Sequence, residues 1–232
     1  MNLSQKNTPA IFLIGLLSMF FAEIMAGSSN LWFLDPFGIL LTFPLYLFHI
    51  VFYLNLAKRT ETTSIVKLYF WGMLFALYEA PITQVLWNGY MDVNGPAWGL
   101  LGGIAVNEFI TLVFFWHPIN AFIIPILIYE NLSMYFFRKM DFDETLPNQV
   151  ELKNQNVHKN PKEYQITLPD HLSVLSKLKE KRYLLFIYFF LLSINQINAL
   201  AGDWITALLA VIGTIGLISA ALLLTVKISK RN

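Results

Sequence analysis

The sequence predicts an all-α, polytopic transmembrane helix bundle of about seven spans with one polar cytoplasmic insert. Three observations carry that reading. The 232-residue chain is 56% hydrophobic and 13% charged, far from the balance of a soluble domain. Its apolar residues fall into runs of about 20, the length that crosses ~30 Å of hydrocarbon. Between Leu68 and Phe137 the only charged residues are Asp92, in a polar loop, and three glutamates, each near the middle of an apolar run.

The first span is expected over residues 9–26, opened by Pro9, whose missing N–H has no helical partner to lose. A cleaved leader is the rival for this segment, with Ile24-Met25-Ala26 before Gly27 as the cleavage site, and Glu23 argues against it. Span two covers 37–57, started by Asp35-Pro36 and kinked at Pro44. A basic loop leads to span three, 68–88, kinked near Pro81, and a polar loop follows at 89–96. The next 41 residues are broken only at His117-Pro118, which predicts spans four (97–116) and five (118–137) joined by a tight turn. Residues 138–182 form the polar insert, read as a solvated linker with a strand-like stretch at 149–153 and a short helix capped by Asp170. Spans six (183–201) and seven (204–226) are separated by Gly202-Asp203 and end in a basic tail. Gly213, Gly216 and Ala220 in span seven, and Gly99 and Gly103 in span four, have the spacing of close helix contacts.

Seven spans put the chain ends on opposite sides. With the N-terminus outside, the insert and the C-terminal tail place twelve Lys and Arg in the cytoplasm against four outside. Lys58 and Arg59 then fall on the wrong side. The net charge of +1 and the scattered bases exclude a nucleic-acid partner. With no cysteine there is no disulfide, thiolate nucleophile or thiolate metal site.

Glu79, Glu108 and Glu130 are the candidate site. If the chain turns at His117, Glu108 lies ~14 Å and Glu130 ~18–20 Å below that turn, nearly level across a hairpin. An ionised carboxylate at midplane costs at least ~2.5–3.5 kcal/mol, so three acids without a base call for protons or a cation. Thr83, Gln84, Asn107, Asn195 and Asn198 complete the expected polar lining, with Gln196 and Thr111 nearby and Tyr78, Trp87 and Tyr129 as aromatic walls. Protonated glutamates pinning helices together are the structural alternative. Glu23 is weighted less because it sits near a span end. His117 belongs to the expected turn, and a metal is open only through His49, so metal and cofactor stay unknown.

No glycine-rich phosphate loop, Gly-x-Ser-x-Gly elbow or His-Glu-x-x-His motif is present. Three functions remain. The leading one is a small proton- or cation-coupled transporter of a hydrophobic or cationic ligand, with Pro44, Pro81 and Pro125 permitting alternating access. The second is an intramembrane enzyme using Glu79, Glu108 and Glu130 as acid and base on a lipid or isoprenoid. The third is a packing or partner subunit docking through 138–182. On the cluster reading, Glu108→Gln abolishes activity in a folded protein.

Overall fold

The computed structural model describes residues 8–29, 31–82, 98–132, 187–188, 190–194 and 203–229, and these are mostly helical. The insert 138–182 and the candidate residues Thr83, Gln84, Asn195 and Asn198 lie outside them, as do Trp87 and Gln196.

Helix α1, Thr8–Met19, runs on into a wider π-turn at Phe20–Ile24. Its apolar side chains are buried on nearly every face, and it packs against three other helices. Such a segment is an integral part of the core. Helix α2 covers Gly38–Arg59. The Asp35 carboxylate accepts the Gly38 N–H at 2.9 Å, the start expected from Asp35-Pro36. The helix is π-wound over Gly38–Thr42, just ahead of Pro44. A proline removes the N–H that would close an ordinary turn, and a widened turn is one way to absorb the loss. Helix α3 is Ile65–Ile82.

Between α3 and the next helix the expected start of span four is a β-hairpin. Strand β1, Leu100–Leu101, pairs antiparallel with β2, Ile104–Ala105. Gly102 and Gly103 form its two-residue turn with φ of 60° and 83°. Positive φ at both central positions is what such a turn demands, and glycine meets it without a Cβ clash. Gly103 is therefore a turn residue, Gly99 stands just before β1 with φ 74°, and a Cβ at either would meet open space.

Helix α4 then runs unbroken from Val106 to Leu132. This corrects the expected turn at His117-Pro118: the chain continues as a π-wound helix over Leu112–Ile123 with Pro118 inside it. Side chains of neighbouring helices donate to carbonyls near both prolines. The carbonyl four residues before Pro118, on Phe114, accepts the Tyr69 hydroxyl of α3 at 2.7 Å. The carbonyl four residues before Pro125, on Ala121, accepts the Ser18 hydroxyl of α1, also at 2.7 Å. In a bilayer no water can fill such vacancies, so a proline inside a span survives where adjoining side chains donate. The Trp116 indole N–H in turn reaches the Ala22 carbonyl in the π-turn of α1 at 2.8 Å.

Helix α5, Trp204–Ser229, is capped by Asp203, whose carboxylate accepts the Thr206 N–H at 3.1 Å. It packs against α1 and receives the turn at 31–34. There the Trp32 N–H donates to the Thr214 hydroxyl, and the Phe33 ring would lie 2.3 Å from a Cβ on Gly213. The close approach at Gly213 is thus to a turn ring and not to a neighbouring helix as its spacing suggested, and a Cβ on Gly216 would meet nothing. The helical residues near 190 are tied to α4 by the Tyr188 hydroxyl donating to the Asn120 side-chain oxygen.

Among the described residues, α2, α4 and Trp204–Lys227 of α5 are long and apolar enough to cross a membrane, and Pro9–Ile24 is a shorter apolar helix.

Candidate functional site: a buried acid–base pair in a cavity

The unbroken α4 takes the three glutamates apart. Glu108 is buried in its first turn and Glu130 lies two residues before Leu132. They are separated by 22 positions of one helix, about 30 Å along its axis. They are not level across a hairpin, and neither lines the cavity described below. Asn107 is half-buried beside Glu108 at the same end.

What lies near the middle of α4 is His117. α3 runs antiparallel to α4, with Gly72 against Pro118 and Ala80 packed with Leu112. The approach at Gly72 is so close that a Cβ there would stand 2.6 Å from the Pro118 Cα. That contact brings the Glu79 carboxylate to His117, with Oε2 2.8 Å from Nε2 and both side chains 4% exposed. The other ring nitrogen, Nδ1, is 3.3 Å from the Leu112 carbonyl, which can only accept. Nδ1 therefore carries a proton, and the Nε2–Oε2 contact needs one more, held between histidine and glutamate. The acid has a base for a neighbour, and the pair can give or take a proton without moving a helix.

The pair extends across α2 to α1. The Tyr46 hydroxyl is 3.4 Å from His117 Nε2 and hydrogen-bonds the Glu23 carboxylate, its ring stacked over the imidazole at 6.2 Å. Ser28 and Ser29 donate to the second Glu23 oxygen at 2.6 and 2.8 Å. Three donors and no acceptor suit the carboxylate form. The π-turn that carries Glu23 also sets the chain up to bring these serines back onto it.

A cavity of about 480 Å³ opens over this chain of groups. Glu23, Ser28, Ser29, Thr42, Tyr46, Glu79 and His117 form its polar wall, and Phe37, Leu41, Leu45, Ile82 and Leu112 its apolar one. Its size lies within the ~300–1,000 Å³ of small-molecule sites. A second cavity of about 340 Å³ lies farther along α2, walled by Phe48, His49, Phe52, Tyr53 and Tyr78. The fully buried Phe75 ring stands between them, 5.2 Å from His49, 5.7 Å from His117 and 5.9 Å from Tyr46.

Of the sequence candidates, the structure brings Glu79 into the site and leaves Glu108, Glu130 and Asn107 elsewhere. It adds His117, Tyr46 and Glu23. Spacing along α2 could not have found Tyr46, because it does not say which helix that face meets. Among the described residues no group of three or more His, Asp or Glu side chains has metal-binding geometry.

Long apolar helices around a buried ionisable pair define an integral membrane protein. Over residues 12–227 the chain belongs to a family described as an uncharacterized membrane protein family. It is similar to an uncharacterized protein of Archaeoglobus fulgidus, 42% identical over 118 residues, a match covering 51% of this chain and 36% of that protein. The chain thus spans little more than a third of that relative's length. No solved structure matches it.

Proposed function

We propose that this protein is a small proton-coupled transporter whose coupling site is the Glu79–His117 pair with Tyr46 and Glu23. The observation that carries this is the 2.8 Å contact of Glu79 with His117 on the wall of a cavity, with a second cavity beyond Phe75. Phe37, just before α2, and Leu41, Thr42, Leu45 and Tyr46 within it line the first cavity and Phe48, His49, Phe52 and Tyr53 the second, so the two lie at different depths with the proton-holding pair near the layer between. Carriers bind near the bilayer midplane and open to one side at a time. The moving part is assigned to the Phe75 layer. The prolines of α4 do not read as hinges, because Tyr69 and Ser18 pin the carbonyls beside them.

The continuity of α4 also supports a new topology. Counting α4 once, with 9–26, α2, α3, 183–201 and α5, gives six crossings and both chain ends on one side. All 16 Lys and Arg then fall at or beyond the cytoplasmic ends of the spans, including Lys58 and Arg59. The insert 138–182 and the C-terminus stay cytoplasmic, the N-terminus joins them, and Ser28 and Ser29 at the first cavity face the opposite side.

The test is reconstitution in vesicles carrying an internal pH dye, with a proton gradient imposed. Wild type should move protons, and Glu79→Gln and His117→Gln should stop this while remaining folded. Unchanged flux in both variants would remove the pair from coupling. The enzyme reading keeps one observation in its favour: Phe37, Leu41 and Ile82 are exposed at the cavity, so its apolar wall is open to lipid. Turnover of an added lipid extract, lost in Glu79→Gln without any proton flux in wild type, would favour it.

A further inference from the structure

We infer that the transported ligand is an amphiphilic organic cation, an amine or onium group on an apolar body. This rests on the transporter reading, and two independent features of the cavities point to it. The first is charge. Glu23 is held by three hydroxyl donors, and among the described residues it has no lysine or arginine partner. The Glu79–His117 contact shares one proton and is neutral as a pair. The first cavity therefore has a wall of net charge −1 at Glu23, and a carboxylate left without a counter-charge at a membrane site carries a cost. A ligand bringing a positive charge is stabilised there. A neutral ligand leaves the cost in place, and an anion adds to it.

The second feature is the aromatic chamber. Phe48, Phe52, Tyr53 and Tyr78 line an open space of about 340 Å³, with Phe48, Phe52 and Tyr78 exposed. His49 completes the wall as a neutral ring: its Nδ1–H donates to the Leu45 carbonyl at 2.6 Å, and its buried Nε2 has no hydrogen-bond partner among the described residues. Several aromatic faces around one space recognise an ammonium or onium group through their quadrupoles, and the attraction grows as water is excluded. Carboxylate on one side of Phe75 and aromatic box on the other thus favour the same ligand class by different physics. The apolar walls at Leu41, Leu45, Ile82 and Leu112 accommodate the body of the molecule.

Exchange follows from proton bookkeeping. Empty, with the proton on the Glu79–His117 pair, the site carries −1; binding the cation and releasing that proton leaves it at −1, so the two exchange one for one at constant site charge. When the cation departs, a proton returns.

The test uses the full chain purified in detergent, titrated calorimetrically with tetraphenylphosphonium and, separately, with tetraphenylborate, an anion of the same shape. Saturable binding of the cation and none of the anion is expected. Glu23→Gln should weaken the cation at least tenfold. Phe52→Leu, a side chain on the outer face of α2, should weaken it about two- to fivefold, the worth of one cation–π contact. Equal binding of both ions, or full affinity in both variants, overturns the inference. Should Glu23→Gln fail to fold, wild-type ion selectivity and Phe52→Leu decide it. Proton flux without cation binding overturns the ligand class and leaves the coupling site standing. Cation binding with no proton release, read from titrations in two buffers, supports the ligand class and sinks the coupling.

Discussion

Helix α4 differs between its centre and its ends, although both carry ionisable groups. At the ends, Glu108 is buried in the first turn and Glu130 lies two residues before Leu132. Glu108 in the first turn also meets the positive end of the helix dipole. At the centre, His117 and Pro118 sit in a π-wound stretch held by Tyr69, Ser18 and Trp116 and closed against Gly72. Helix α4 thus carries acids in its terminal turns and, at its centre, the base that meets Glu79 of α3. Expensive groups persist when neighbours satisfy them, and that satisfaction is what makes the centre a candidate site.

The largest test of this contrast is Gly72→Ala. A methyl group 2.6 Å from the Pro118 Cα has backbone in its way and must push α3 off α4. A loss of about 1–3 kcal/mol or more in stability is expected, together with loss of the Glu79–His117 contact. Thermal unfolding in detergent reads the first and cation titration the second. Glu79→Gln should leave the fold intact and cut proton flux by an order of magnitude or more, whereas Glu108→Gln should leave flux near wild type. Equal loss in both would restore a three-glutamate cluster and break the distinction between centre and ends.

Tyr69→Phe sharpens the comparison more gently. It removes one donor from the Phe114 carbonyl and should cost about 1 kcal/mol, the scale of a single hydrogen bond between membrane helices. An unchanged melting temperature would mean that the π-winding alone satisfies that carbonyl. Topology can be checked with single cysteines in a chain that has none of its own. Cysteines at Asn2 and Asn232 should label from the same side, and Ser28→Cys from the other.

The smallest effect belongs to the exposed cap of α5. Hydrogen bonds from the Thr206 hydroxyl and N–H hold the Asp203 carboxyl below its ordinary value of 3.8. A lowered folded value means that the cap contributes fully above 3.8 and loses its contribution as pH falls through the folded value. The melting temperature of wild type should therefore converge on that of Asp203→Ala as pH falls below 3.8 and through the lower folded value. A gap that widens on acidification would reverse the sign.

Composition and run length were enough to identify a helical membrane protein, because a bilayer accepts little else and the requirement is written in every residue of a span. The start of α2 at Asp35-Pro36 could likewise be read locally. The path through His117-Pro118 could not. A proline after a polar residue reads as a turn unless a neighbouring helix offers donors, and Tyr69 and Ser18 lie 45 and 103 positions from the carbonyls they satisfy. That one decision moved Glu108 and Glu130 apart and brought His117 to Glu79. It also supports a topology in which the basic residues fall on one side. Which acids face water, which face a base and which share a cavity depend on the packing of α1 to α4, since spacing along one helix fixes a face but not the helix it meets.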